Sequence, residues 1–448
     1  MPSRVLPPST NPFVHVRALL PEESIAREES ERLVGLVAGG HNAVLHAPRR
    51  FGKTTLINHV LQRAMERDMP GVLIDLSDVL SIADVTARLE QGFRALPGRV
   101  RRLVGTELGT VGVSTPFGGV SVGRRSAVAD PIAAVHTLLE LPAQIAKRQG
   151  QRVLVVFDEF QSLVTLEGLD GVFRSHIQHH ADVSYIFAGS EPSLLRALFE
   201  DRARPLYGQA ERLRLGRLGY GDTYDFLLRR FRETDKDTAD EATSELVRLA
   251  EGHPQRLMLV AHLLWDRVSP NQTATMAEVR GAYDAAMRAV GPELRYLWDS
   301  LSANERRVLA ALASGLSPYQ RAAMELVGIS NSSSAARSIE QLERNAIIER
   351  PGDHDSLRIV DPLLGRWVRL SGAARMQIYV FPHEGAFAVT EGPSLAFLHT
   401  THETLAEAEA EADGVAARAR GADVMVFDTD DPNDLPDWTL FKRPQRAG

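Results

Sequence analysis

The sequence predicts an α/β protein in which a parallel sheet is covered by helices and followed by helical and smaller mixed parts. Three observations predict it. Short apolar runs at Ala43–His46, Val72–Leu76, Val153–Phe157 and Val183–Ala188, with a last candidate strand at Arg212–Leu215, are separated by stretches of helical spacing. The run Val153-Leu154-Val155-Val156-Phe157 shows no polar alternation, as a strand covered on both faces requires. From Gly221 to about Ser300 the strand-like runs stop and the pattern is helical throughout.

The elements follow in order. The proline-rich start, MPSRVLPPSTNPF, predicts an extended arm and lacks the apolar run of a signal peptide. A helix is expected from about Glu23 to Ala38, with Leu33, Val34, Leu36 and Val37 apolar and Gly39-Gly40 ending it. Strand Ala43–His46, helix Thr54–Arg67 and strand Val72–Leu76 make the first β–loop–α–β unit. Residues 78–104 have helical spacing. Residues 104–126 alternate Val with Gly and Ser, the pattern of an inserted β-hairpin or of a glycine loop. Helices at Pro131–Arg148 and near Gly171–His180 flank the strand Val153–Phe157, and Val183–Ala188 follows.

The domain division expected is a core over 1–220, a helical lid over 221–300, a three-helix unit with a hairpin over 301–372, and an acidic ββαβ tail over 376–448. In the third part Ser302-x-x-Glu305 is a capping box. Helices follow to about Ser314, around Tyr319–Val327 and around Ser333–Asn345. A hairpin across Pro351-Gly352-Asp353 completes a winged helix. The tail has strands near Gln377–Phe381, Ala386–Val389 and Asp423–Phe427, and a helix over Thr401–Ala419.

Composition narrows the function classes. With 448 residues and 44% hydrophobic content the chain is an ordinary globular protein of two to four domains. It has no cysteine, which excludes disulfides and thiolate metal sites. No stretch of about 18 apolar residues spans a membrane, so the expectation is a cytoplasmic protein with no membrane partner. The net charge of −7 is uneven. From residue 376 on there are thirteen Asp/Glu against five Lys/Arg, which leaves 45 acids and 46 bases before it. Neither part has the basic surplus typical of nucleic-acid binding. The only lysines are Lys53, Lys147, Lys236 and Lys442, so a lysine inside a glycine loop stands out.

That lysine sits in Ala47-Pro48-Arg49-Arg50-Phe51-Gly52-Lys53-Thr54, which matches the phosphate-binding pattern G-x-x-x-x-G-K-[ST] except for Ala47 in the first position. Gly52 lets backbone amides wrap a β-phosphate, Lys53 reaches the β- and γ-phosphates, and Thr54 offers a hydroxyl to Mg²⁺. The helix that starts there turns free amides and its positive end toward the anion. Pro48, Arg49, Arg50, Phe51 and Thr55 complete the predicted nucleotide contacts. Ala47 matters only if that position needs φ > 0. The second signal is Asp158-Glu159 at the end of the apolar strand, 105 residues after Lys53. There Asp158 is placed to hold Mg²⁺ through water, and Glu159 to polarise the attacking water. The third is Ser190, after Phe187-Ala188-Gly189, either a γ-phosphate sensor or an N-cap ahead of Pro192. ATP and Mg²⁺ are the cofactors this set implies. By analogy with the P-loop class that carries a strand between its lysine loop and its acidic strand, the expected strand order is 5-1-4-3-2.

Pro48-Arg49-Arg50-Phe51-Gly52-Lys53-Thr54 resembles the P-R-R-x-G-K-[TS] loop of the archaeal-type ATPases, a branch of the STAND and AAA+-related P-loop ATPases, over roughly residues 12–370. Ile25-Ala26-Arg27-Glu28 resembles their hydrophobic-G-R-E segment with Ala26 for Gly. The resemblance implies that Arg27 lies near the adenine. Pro205-Leu206-Tyr207-Gly208 resembles their P-L-Y-G-R segment, but Gln209 stands where the arginine is usual, with Arg204 and Arg212 as the nearest substitutes. Gly252-His253-Pro254 looks like the lid's G-x-P motif, and the resemblance implies that His253 and Pro254 approach the nucleotide. His253 alternatively caps the helix behind it.

The function expected is an ATP-binding, ATP-hydrolysing switch that passes its nucleotide state to the winged helix and tail. The alternatives are a DNA-binding regulator that holds ATP with little turnover, and an ATP-dependent assembly scaffold. Arg337 and Arg344 on the third helix of the winged helix suit DNA phosphates. Glu340 and Glu343 on the same helix suit a protein partner instead. A nucleotide-dependent homo-oligomer is a further expectation. His176, His179 and His180 crowd one helix with no carboxylate at ligand spacing, and read as a solvated face.

Overall fold

The structure is a computed structural model that describes residues 10–96, 130–350, 357–370, 377–383, 386–390, 398–418 and 423–426. The insert expected at 104–126 lies outside the described residues. The chain divides into two compact units, Val14–Phe226 and, with residues 10–13, the chain from Leu227 on.

The first unit is a five-stranded parallel sheet built from β1 (Ala43–His46), β2 (Gly71–Asp75), β3 (Val153–Asp158), β4 (Val183–Gly189) and β5 (Glu211–Arg214). Its order is β2-β3-β4-β1-β5, the expected 5-1-4-3-2 read from the other edge. β3 and β4 are buried at nearly every position, which is why they carry almost no polar residues. Alternate residues point to opposite faces. On one face Val155, Phe157, Tyr185 and Phe187 join a core with α3 (Ile82–Arg94) and α4 (Pro131–Gln149). On the other, Ser184 donates to the Val37 carbonyl of α1 (Glu28–Ala38) at 2.7 Å. Beneath the acidic end of β3, Phe157, Phe160, Phe173, Phe187 and Phe199 form one aromatic cluster, with the Phe160 and Phe187 centroids 4.7 Å apart. Each buried ring contributes roughly 1.5–3 kcal/mol, so the edge that carries the acids rests on a stiff platform. α2 (Lys53–Met65), α5 (Leu169–Ile177) and α6 (Pro192–Phe199) complete the unit.

α7 (Tyr220–Arg232) takes the chain out of the first unit. The second unit continues with α8 (Asp240–Ala250), α9 (Pro254–Arg267) and α10 (Met276–Ser300), with β6 (Asp237–Thr238) pairing in parallel with β7 (Thr273–Ala274). α11 (Ala303–Ala313), α12 (Arg321–Val327) and α13 (Ser332–Arg344) precede β8 (Ile348–Glu349) and β9 (Arg358–Ile359), which pair antiparallel. The Ser302–Glu305 capping box opens α11 as its spacing predicts. α14 (Pro362–Leu370) follows. The tail differs from the expected ββαβ pattern. Between β11 (Ala386–Thr390) and α15 (Leu405–Arg418) runs a further strand, β12 (Leu398–His402), in a sheet ordered β12-β11-β10-β13 with β10 (Gln377–His383) and β13 (Asp423–Val426). Leu398-His399-Thr400-Thr401-His402 offers no apolar alternation, and its pairing with β11 supplies what periodicity does not signal.

Candidate active site

The site is built at the carboxyl edge of the first sheet, where β1 gives way to α2. The Ala47 amide continues the ladder to the Gly189 carbonyl at 3.3 Å, and the Phe51 amide closes a turn on Pro48 at 3.3 Å. Arg50 and Gly52 take left-handed backbone, with φ of 68° and 86°. Ala47 is not among the described residues with positive φ, so alanine serves there without strain. At Gly52 a Cβ would meet nothing within 4 Å. Glycine is therefore required by the backbone angle, and the space beside the loop is open.

Three contacts hold the loop from outside. The Arg27 guanidinium donates to the Phe51 carbonyl at 3.0 Å and to the Gly216 carbonyl at 2.9 Å. Burial holds its pKa below the ordinary arginine value, against the pull of Glu29. The Arg217 guanidinium lies 5.8 Å from the centre of the buried Phe51 ring. The Thr55 hydroxyl accepts the Leu19 amide at 3.0 Å. Arg27, read from its segment as a nucleotide contact, thus braces the loop's main chain. Arg49, Arg50 and Thr54 stand exposed, and Pro48, Phe51 and Lys53 are buried.

Lys53, the first residue of α2, reaches the end of β3. Its ammonium donates to Asp158 and, at 2.5 Å, to Glu159 Oε1. Glu159 is in left-handed backbone, φ 52° and ψ 39°, a conformation that costs a non-glycine residue about 1–2 kcal/mol. Its other oxygen accepts from the Ser190 hydroxyl at 2.8 Å and from Gln161 Nε2 at 2.5 Å. Burial alone would raise the Glu159 pKa, but Lys53, Gln161 and Ser190 outweigh it and hold the group below the usual glutamate value. The structure therefore brings Lys53, Asp158, Glu159 and Ser190 together as expected, and adds Gln161. The signal for Gln161 is Gly189: a Cβ there would lie 2.1 Å from Gln161 Oε1, so the Ala-Gly-Ser sequence leaves room for that amide.

His253 and Pro254 belong to the second unit. The buried His253 ring accepts the Arg256 amide at 3.3 Å and caps α9, whose first residue is Pro254. Arg204 and Arg212, the substitutes for an arginine at Gln209, pair with Asp170 at 3.1 Å and Glu200 at 2.9 Å.

The residues fit a triphosphate with a divalent cation. One ammonium against two carboxylates leaves an unmatched negative charge suited to a hard cation with oxygen ligands. The first amides of α2 have no carbonyl of their own helix to bond, and the open space at Gly52 lies in front of them. When bound, Mg²⁺ would be held by Thr54 and Asp158 and would neutralise charge that develops on the phosphates.

Fold and site together define a P-loop ATPase fold, of the class with a strand between the lysine loop and the acidic strand. The comparisons agree with that class. A Walker-type ATPase of Pyrococcus abyssi is similar over 80% of this chain and 99% of that one, with 19% identity and a TM-score of 0.60. The ORC2 protein of Aeropyrum pernix, solved as ADPNP-ADP complexes, is similar over 80% of this chain and 95% of that one, with 14% identity and a TM-score of 0.51. No protein-family model matches the chain, and no curated protein matches it in sequence.

Proposed function

We propose that the protein binds ATP with Mg²⁺ and hydrolyses it, as a switch whose nucleotide state is read by the second unit. The observation that carries this reading is the meeting of Lys53 with Asp158 and Glu159 at the edge where Gly52 opens α2. Lys53 turns from the carboxylates to the β- and γ-phosphates as the triphosphate enters. Glu159, ionised and aimed by Ser190 and Gln161, orients a water and takes its proton. The water oxygen bonds the γ-phosphorus, the bond to the bridging β–γ oxygen breaks, and ADP and phosphate leave. Arg27 keeps the loop in register by holding the Phe51 carbonyl.

For the readout, a protein partner is better supported than DNA. We read residues 301–372 as a winged helix, in which Arg344 donates to Glu340 at 2.8 Å and Arg350 to Glu343 at 2.7 Å. Each acid offsets part of the charge its arginine would bring to a phosphate, while Arg337 stands exposed on the helix of Arg344. The acidic tail points the same way, and nucleotide-dependent self-association is the remaining mode of readout.

Calorimetry with ATP and Mg²⁺ tests the reading. Wild-type protein binds, and Lys53→Ala loses about 2–5 kcal/mol of affinity, the cost of removing one side of a desolvated charge contact. Wild-type protein that takes up no ATP overturns it. Turnover measured with and without duplex DNA, alongside light scattering in each nucleotide state, separates the partners: DNA stimulation that falls steeply with salt would favour the regulator instead.

A further inference from the structure

At the other end of the same sheet the histidine cluster is not the solvated face its sequence suggests. His176 and His180 are each 8% exposed, and only His179 is on the surface. The carboxylate missing from their neighbourhood in sequence arrives from α4, where Glu140 follows His136 by one helical turn. Glu140 Oε1 lies 2.6 Å from His176 Nδ1, and its Oε2 lies 3.7 Å from His180 Nε2. One ligand atom from each of the three side chains falls within 4.8 Å of the others.

We propose that Glu140, His176 and His180 bind a divalent transition-metal ion of the zinc class, with water in the fourth position, tying α4 to α5. Three features of the cluster carry the assignment. First, His180 Nε2 is buried and has no hydrogen-bond partner among the described residues. A buried ring nitrogen left unsatisfied costs about 1–3 kcal/mol, and this one faces a carboxylate. Second, the opposite nitrogens are already engaged as metal-bound imidazoles require. His180 Nδ1 lies 2.6 Å from the hydroxyl of the buried Tyr185, and His176 Nε2 lies 2.8 Å from His136 Nδ1. With an ion bound, Nδ1–H of His180 would go to Tyr185 and Nε2–H of His176 to His136, and the proton now shared by His176 Nδ1 and Glu140 would give way to the metal.

Third, the spacing fits. Bonds of about 2.0–2.2 Å in a tetrahedral site put ligand atoms roughly 3.3 Å apart. One ligand atom from each of the three side chains lies within 4.8 Å of the others, a spread that side-chain rotation closes onto an ion. The Glu140 side chain, 47% exposed, is the side from which ion and water enter. Two imidazoles with one carboxylate suit zinc, while the oxygen-only edge at Asp158 suits magnesium.

The test uses tag-free full-length protein dialysed against Zn²⁺ in excess Mg²⁺ and ADP, with bound metal counted by mass spectrometry. One zinc per chain is expected, with a rise in Tm of a few degrees. Cobalt in its place is expected to give the visible absorption of a tetrahedral ion. Glu140→Gln and His180→Asn should each lose the bound ion, and His136→Gln should weaken it about tenfold as an outer-shell partner. His179→Asn should leave it unchanged. Glu140 is half exposed, so its variant folds even if that at His180 does not. Zinc that fails to bind, or that binds equally to Glu140→Gln, overturns the proposal. So does loss in His179→Asn as large as that in Glu140→Gln.

Discussion

Among the described residues, two buried ion pairs each join side chains 105 positions apart, and they are built to opposite ends. In the second unit Arg256 grips one carboxylate with two nitrogens. Its Nε and Nη2 both donate to Asp361, Nε at 2.9 Å and Nη2 at 2.5 Å, and Asp361 also accepts the Leu363 amide at 3.0 Å. A planar, bidentate guanidinium with 2% of its side chain exposed is a clamp. In the first unit one lysine serves two carboxylates. Its charge sits on a flexible stem, and the acid it shares with Ser190 and Gln161 lies on left-handed backbone. A matched pair stays shut. An unmatched one, with a cation that can swing away, is a site that waits for charge from outside.

The comparison breaks first at Glu159. If that carboxylate orients the attacking water, Glu159→Gln keeps the shape but loses the base, and its single amide oxygen can accept on only one of the two sides now shared with Lys53 and with Ser190 and Gln161. Turnover should fall by about 10²–10⁴, with ATP affinity retained in calorimetry. A variant that hydrolyses ATP at the wild-type rate would remove Glu159 from the mechanism and leave its strained backbone without a function.

The clamp should show itself in stability. Asp361→Asn leaves the Arg256 guanidinium buried without its anion, and about 3–5 kcal/mol should be lost in urea unfolding of the second unit. The pH dependence has a definite sign. Burial alone would raise the Asp361 pKa, but Arg256 more than reverses it and holds the group below its ordinary value. The stability from this pair is therefore complete above the unfolded carboxyl value, about 3.9, and is lost as pH falls through the lower folded value. Wild type should weaken below about pH 4 in a way that Asp361→Asn does not. A loss under about 1 kcal/mol in the variant would mean that Glu293, 3.9 Å from Arg256, takes over as the anion.

The first pair was legible in the sequence and the second was not, for a physical reason. Lys53, Asp158 and Glu159 stand at ends of elements whose apolar patterns are strong, so strand order alone brings them to one edge. All five core strands were found to within a residue or so at each end for the same reason. Nothing in the sequence pairs Arg256 with Asp361, since an arginine near the start of one helix and an aspartate before another are common. The same holds for Glu140, which meets His176 across two helices. β12 escaped because its residues are polar and its partner strand, not its own periodicity, makes it a strand. Local pattern fixes elements. Contacts between side chains distant in sequence are set only when the elements pack.

The smallest effect sharpens the comparison most. His253 caps α9 and its charge acts on Asp361, so it sits beside the clamp, while the G-x-P resemblance implies a nucleotide contact for it. The two roles separate in His253→Ala. Loss of the ring as acceptor for the Arg256 amide should cost about 1 kcal/mol in urea unfolding. As a cap alone, His253 leaves ATP affinity untouched. A tenfold loss of affinity, equivalent to about 1.4 kcal/mol, with the fold intact by circular dichroism would instead make the clamp's helix part of the nucleotide response, so that the pair built to stay shut is moved by the pair built to open.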